Sequence, residues 1–460
     1  MPRRPSRSGS RSCPGSSRPR RGGSLIALRR ELGLASLAAI VFFNVSGGPY
    51  GIEDAVSSFG PGLALTLLIL TPLIWSLPVA LAMSEMASAM PDEGGYVTWV
   101  TRAFGRYWGF QVGWWSWINS FVDVAVYPTL FVEYARFWRP EMGVGERWLW
   151  ALVFIVVLTG LNLVGVRPVG RAAVVLGVLA LMPVALLVVV GAASTSVAPW
   201  RPFMAEEQSL VGGLGLGLAV MMWNFSGWDT PSTTLGETRA PERAFRTALF
   251  VALPIITAAY LLPVTVGLAS GTVAWTAWDT GALPSIAAKI GGPWLGHALA
   301  AGAVVSASGL FLSLLLTNSR LPYVLARDGH LGAWLGAVHP RFGTPWAAVL
   351  VSALFYAGFA SFSFKELIVL NIWLYSLTLI VELAAFVRLR MRHPDMPRPW
   401  RVPGGPAGML VTALLPATLC LLAMATAGWK NTLAGAIAAL TGPLVYAVST
   451  RRRRRQPQQA

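Results

Sequence analysis

Asp123, Asp229 and Glu382 each lie inside an apolar run long enough to cross a bilayer, and no Lys or Arg stands at comparable depth in any such run. An ionised carboxylate in mid-bilayer costs about 2.5–3.5 kcal/mol on insertion scales, so each must find a partner or keep a proton. Several intramembrane acids without an intramembrane base favour a cationic cargo, protons, or both. Each has a structural alternative: Asp229 as a cap on a restarted helix, Glu382 as a protonated core acid. Glu85 lies nearer the end of its run, where solvation is expected. Tyr127 and Tyr375 can offer hydroxyls to the same space, with packing as the alternative.

Two of the runs carry the same interruption. Residues 44–47 read N-V-S-G and residues 224–227 read N-F-S-G. Small and helix-breaking residues in mid-span free backbone groups that lipid cannot satisfy, so such breaks are tolerated only against protein or a water-filled cavity. Paired breaks in corresponding halves of a chain point to a transporter binding site. In the first, Gly47 and Gly48 can unwind the helix, and Pro49 suits the first turn of a new one. That helix would present N–H groups and a positive dipole end to the cavity, minus the donor that Pro49 lacks. Glu53 and Asp54 follow within the next turn, as a solvated helix end, or as a negative vestibule or direct contact for a cationic substrate. In the second, Ser226 and Gly227 mark the break and Pro231 suits the restart. Phe225 and Trp228 flank it, as packing residues or as a gate that stacks on a cation.

The elements that must position these groups are membrane spans. The 460-residue chain is 55% hydrophobic and only 12% charged, about half the charged fraction of a soluble domain. Twelve runs of about 20 apolar residues are expected: 34–58, 62–89, 107–135, 147–166, 169–192, 210–236, 244–269, 294–324, 345–361, 366–389, 408–428 and 431–449. The net charge of +16 does not indicate nucleic acid. With a cytoplasmic N-terminus, 29 of the 36 Lys and Arg fall in inside segments, which follows the positive-inside rule and places both termini in the cytoplasm. Residues 1–32 read as a disordered basic tail, and the five arginines at 451–455 as a cytoplasmic stop that attracts anionic headgroups. Two cysteines, Cys13 and Cys420, and four scattered histidines give neither a disulfide framework nor metal-ligand spacing. No cofactor is expected. No nucleophile–base pair or phosphate loop suggests an enzyme, and neither tail is long enough for the output domain of a membrane sensor.

The breaks are 180 residues apart, so spans 1–5 (33–192) correspond to spans 6–10 (209–389). Five is odd, so the second unit must be inserted upside down, the inverted repeat of many secondary transporters. Spans 11 and 12 (408–450) lie outside the repeat, and 451–460 form the second tail.

Four segments carry a family resemblance: S-G-G-P-Y-G-I-E-D at 46–54; M-P-D-E-G-G-Y-V-T-W-V at 90–100, continuing into W-G-F-Q-V-G-W and V-D-V-A-V-Y-P at 108–114 and 122–128; S-R-L-P-Y-V-L-A-R-D-G-H-L-G at 319–332 with H-P-R-F-G-T-P at 339–345; and V-E-L-A-A-F-V-R-L-R at 381–390 with R-P-W-R-V-P-G-G at 398–405. Through these the chain resembles the amino acid–polyamine–organocation superfamily, and within it the polyamine-uptake branch close to the L-type amino acid transporters. The matches span nearly all of 34–406. The resemblance implies an all-α integral membrane protein of the leucine-transporter fold, with five-plus-five inverted helices, two peripheral helices, and spans 1 and 6 broken.

By position, the resemblance suggests Ser46, Gly47 and Gly48 in the first binding loop and Phe225, Ser226, Gly227, Trp228 and Asp229 in the second, while Asp123 and Glu382 match acidic positions of polyamine carriers. Gly227 departs from the pattern, standing where an aromatic is usual, which is expected to enlarge the pocket. Tyr375 joins the substrate-binding set. The expectation is a proton-coupled importer of polyamines or related organic cations at the cell membrane, with an amino acid carrier or exchanger as the alternative. Span 5 holds no lysine to replace a sodium ion. The coupling ion is left open between a proton, carried by an acid such as Glu382, and sodium near Ser306 and Ser308.

Overall fold

The computed structural model describes residues 28–205, 220–361 and 364–455. Every regular element among them is helical. Among the described residues, seven helical stretches are long and apolar enough to cross a membrane: Pro61–Ala89, Val144–Leu163, Val166–Ser194, Pro241–Ser270, Pro293–Arg327, Gly405–Thr426 and Trp429–Arg451. Leu34–Val45 and Trp346–Phe359 are apolar but shorter.

The first break is resolved in detail. Helix α1 (Leu34–Val45) ends where Ser46 turns extended, and α2 (Glu53–Phe59) restarts the chain. The restart comes four residues later than Pro49 suggests. Gly48 and Gly51 hold φ of 101° and 88°, which keeps the intervening residues out of a right-handed helix. Glu53 and Asp54 therefore form the first turn of α2 itself.

Next come α3 (Pro61–Thr71), one π-helical turn (Pro72–Ser76) and α4 (Leu77–Ala89) as one continuous span. The region of the third apolar run divides into α6 (Arg106–Asp123) and α7 (Val126–Ala135), preceded by α5 (Tyr96–Phe104). Helices α8 (Val144–Leu163) and α9 (Val166–Gly191) complete the first half. In the second half, α10 (220–224) ends at the second break, and a 3₁₀ segment, Thr230–Glu237, restarts with Pro231 in its first turn. Then follow α11 (Pro241–Ser270), α12 (Leu283–Gly291), α13 (Pro293–Asn318), α14 (Arg320–Arg327), α15 (Trp346–Phe359), α16 (Phe364–Arg392), α17 (Gly405–Thr426) and α18 (Trp429–Arg455).

Helix α13 runs through the centre, packed on α7, α8, α9 and α12, while α1 lies between α9, α11 and α13. Helices α8, α9, α17 and α18 form the outside and leave Val156, Val157, Val178, Leu414 and Leu440 exposed. Apolar side chains facing outward on long helices are what a lipid environment selects.

One sequence expectation about the tails needs correction. Residues 1–27 lie outside the described residues, but 28–32 are folded: Leu28 and Leu32 are buried, and the Glu31 and Leu32 N–H groups donate to the Glu237 carbonyl at 2.9 and 3.0 Å. The Arg239 N–H returns a bond to the Leu32 carbonyl at 2.8 Å, so the backbone ties this stretch to the end of the 3₁₀ segment. At the other end, α18 continues as helix through Arg455.

Candidate binding site between the helix breaks

Asp123 and Asp229 line one small enclosed cavity, of about 40 Å³, between the two breaks. Asn44 and Val45 close it from the first break, and Ser226, Gly227, Asp229 and Thr230 from the second. Helix α6 contributes Ser116, Asn119, Ser120 and Asp123, α7 Tyr127, and α16 Asn371, Tyr375 and Thr378. Among the described residues, the lining holds two carboxylates and no basic residue. A cavity of this size has room for a few waters.

Tyr375 organises the second break. Its hydroxyl donates to Asp229 Oδ1 at 2.8 Å and accepts the Gly227 N–H at 3.0 Å. The Thr230 hydroxyl reaches Asp229 Oδ2 at 3.5 Å. The Phe225 carbonyl, freed by the break, is taken by two indoles: Trp75 Nε1 donates to it at 3.1 Å and Trp228 Nε1 at 2.7 Å. Trp75 belongs to the π-helical turn, an irregularity that often marks functional sites. Phe225 and Trp228 are fully buried and do not line the cavity, and the Ser226 hydroxyl donates back to the Met222 carbonyl.

Gly227 does not enlarge the pocket. Its φ is 94°, and a Cβ there would stand 2.2 Å from the Asn44 carbonyl oxygen. The room that a side chain would take is filled by the first break. Gly47 is similarly required: a Cβ would meet Ser306 Oγ at 2.1 Å. Ser306 donates to the Gly47 carbonyl at 2.6 Å, and Ser46 Oγ accepts the Gly48 N–H at 3.0 Å. The loop groups at 46–48 are thus engaged with protein, and the cavity wall falls to Asn44 and Val45. Ser308 donates to the Val304 carbonyl of its own helix at 2.9 Å, so the two serines do not converge on one point.

Glu382 lies two turns beyond Tyr375 on α16. It is 2% exposed, does not line the cavity, and among the described residues neither carboxyl oxygen has a hydrogen-bond partner. Glu53 is not a solvated vestibule acid but is completely buried. Tyr134 donates to its Oε1 at 2.6 Å and the Gly51 N–H to its Oε2 at 2.8 Å. It fastens the start of α2 to α7. Asp54 is half-buried and accepts from the Thr280 hydroxyl. Glu85, expected to be solvated, is buried between Arg390 at 3.1 Å and Arg398 at 3.3 Å, and accepts the Val402 N–H at 2.7 Å. Burial lowers the affinity of the Arg398 guanidinium for its proton below the ordinary arginine range.

The amides were missed, although their spacing was available. Asn119 and Asp123, Asn371 and Tyr375, and Ser116 and Ser120 are each four residues apart, which places each pair on one helical face. Arg320 was missed as well. It is fully buried and makes a two-pronged ion pair with Glu237, Nε to Oε1 at 2.7 Å and Nη2 to Oε2 at 3.0 Å. Each residue lies near the end of its apolar run, where a solvated charge would be unremarkable.

The family model described as amino acid permease matches residues 32–446. Polyamine transporter RMV1 of Arabidopsis thaliana is 35% identical over 414 residues, covering 90% of this chain and 84% of that protein. Polyamine transporter PUT1 of Oryza sativa subsp. japonica is 34% identical, covering 89% and 76%. Branched-chain amino acid permease BcaP of Bacillus subtilis (strain 168) is 24% identical, covering 93% and 94%.

Proposed function

This chain belongs to the amino acid permease family, a multi-pass membrane transporter and not an enzyme, and from that premise we propose that it imports polyamines or related organic cations across the cell membrane, coupled to protons. The observation that carries the cationic cargo is the pair Asp123 and Asp229 on one cavity with no basic residue in its lining among the described residues. Two carboxylates at the ends of α6 and of the second break match the two ammonium groups of a diamine. An α-amino acid would bring a carboxylate against them.

The architecture we propose is twelve spans, with 33–192 and 209–389 as inverted five-span units, 408–450 at the periphery, and both termini in the cytoplasm. Alternating access follows from spans 1, 2, 6 and 7 rocking against the rest, with the cavity opening to one side and then the other. We assign the coupling proton to Glu382, whose two carboxyl oxygens are buried without partners among the described residues. Sodium at Ser306 and Ser308 is less favoured, because each hydroxyl already donates to a backbone carbonyl.

The second reading is an amino acid carrier or exchanger, favoured by the likeness to BcaP. Uptake of labelled putrescine and spermidine into proteoliposomes separates the two. Gradient-driven diamine uptake that resists leucine and is lost in Asp229→Asn supports the cation importer. Robust leucine or arginine uptake without diamine uptake refutes it.

A further inference from the structure

A groove outside the transport path lies between α16 and α17, with a volume of about 490 Å³, within the roughly 300–1,000 Å³ of typical ligand pockets. Its floor is Leu383 and Ala413, both buried, and its walls are Val387, Leu410, Leu414 and Ala417. Arg388 and Arg392 stand at one end. They are four residues apart, hence on one face of α16, and both are exposed. Phe104 of α5 closes that end, and the Arg388 guanidinium lies over its ring at 5.0 Å from the centroid.

The other arginines here behave differently. Arg390 and Arg398 turn inward and hold Glu85. Arg388 and Arg392 have no acidic partner among the described residues. An apolar trough ending in two unneutralised guanidinium groups has the layout of a lipid. The trough takes an acyl chain, which needs no hydrogen bonds, and the arginines take a phosphate. A soluble anion would leave the trough empty, and a peptide would find no polar group along it for its backbone. A zwitterionic headgroup brings an ammonium against the arginines; a net-negative one does not.

We propose that this groove is a binding site for one anionic phospholipid, drawn from the leaflet at the Arg388 end. Basic pockets between transmembrane helices are a recurrent solution for such headgroups. The site is separate from the cavity between the breaks and independent of what the transporter carries.

Native mass spectrometry of the purified full-length chain tests it, with phosphatidylglycerol and phosphatidylcholine of matched acyl chains as probes. One phosphatidylglycerol should be retained over phosphatidylcholine by about tenfold, the effect of two nearby guanidinium groups on one negative charge. The preference should fall to within about twofold in Arg388→Gln/Arg392→Gln. It should also fall in Leu414→Trp, which keeps both arginines and fills the trough. Circular dichroism melting checks that both variants are folded. Equal retention of the two lipids in the unmodified chain, or an undiminished preference in folded Leu414→Trp, would overturn the proposal. Displacement of the lipid by glycerol phosphate at equal concentration would also overturn it, by showing a soluble-phosphate site.

Discussion

Gly227 of the second break lies against the backbone of Asn44 in the first, so closely that a methyl group on Gly227 would stand 2.2 Å from the Asn44 carbonyl oxygen. The two interruptions, 180 residues apart in the chain, are in direct contact.

Gly227→Ala should therefore be severe. The backbone φ of 94° is unfavourable for an L-residue, and the obstructing atom is a carbonyl that cannot rotate aside. Strain and overpacking together should cost about 3 kcal/mol. Gly160 of α8 is the internal contrast, since a Cβ there meets nothing within 4 Å. Gly160→Ala should be neutral or stabilise by about 0.5–1 kcal/mol. Thermal melting of the purified protein reads both, and equal effects at the two sites would contradict the contact.

Tyr375→Phe removes the one hydroxyl that serves both Asp229 and the Gly227 N–H. The carboxylate then loses an aligned donor and the backbone donor is left unsatisfied, a loss of about 1–3 kcal/mol. Diamine KM should rise about tenfold with transport retained, whereas Asp229→Asn should reduce uptake to background. Unchanged KM in Tyr375→Phe would show that this hydroxyl does not orient Asp229 for substrate.

Arg320 and Glu237 are a fully buried, bidentate pair. Arg320→Met leaves Glu237 charged and uncompensated, and should destabilise by about 3–5 kcal/mol. Removing both charges, in Arg320→Met/Glu237→Gln, should cost less than the single change. A double mutant as damaged as the sum of the singles, read by melting, would show that the pair is not coupled.

Burial holds the Glu93 carboxyl above its ordinary value of 4.5, outweighing Arg327 at 3.1 Å. As pH rises above 4.5, the unfolded chain releases this proton before the folded protein does. Stability from this group is complete below the ordinary value and declines as pH rises through the raised one. Glu93→Gln should flatten that decline in a plot of melting temperature against pH. An identical slope in the variant would locate the effect elsewhere.

The membrane character, the two breaks and the acids were legible in the sequence because each is a local property. An apolar run declares itself by length, a break by Ser-Gly within it, and an intramembrane acid by the absence of any nearby base. Pro49 misled because its preference for a helix start is local too. The positive φ of Gly48 and Gly51, set by how the loop packs, moved the start to Glu53. The side-chain amides of Asn119 and Asn371 escaped notice because helical spacing gives their faces but not which face turns inward.

By itself the sequence determined that this chain is a helical membrane protein with carboxylates in mid-span, since hydropathy and charge count need no third dimension. Only the tertiary structure decided how the acids divide: Asp123 and Asp229 share a cavity, Glu53 and Glu85 are tied to their neighbours, and Glu382 is buried without a partner among the described residues. The physical reason is that a carboxylate's role depends on what faces it. Those partners, Tyr375, Tyr134 and Arg390, come from helices 81 to 305 residues away.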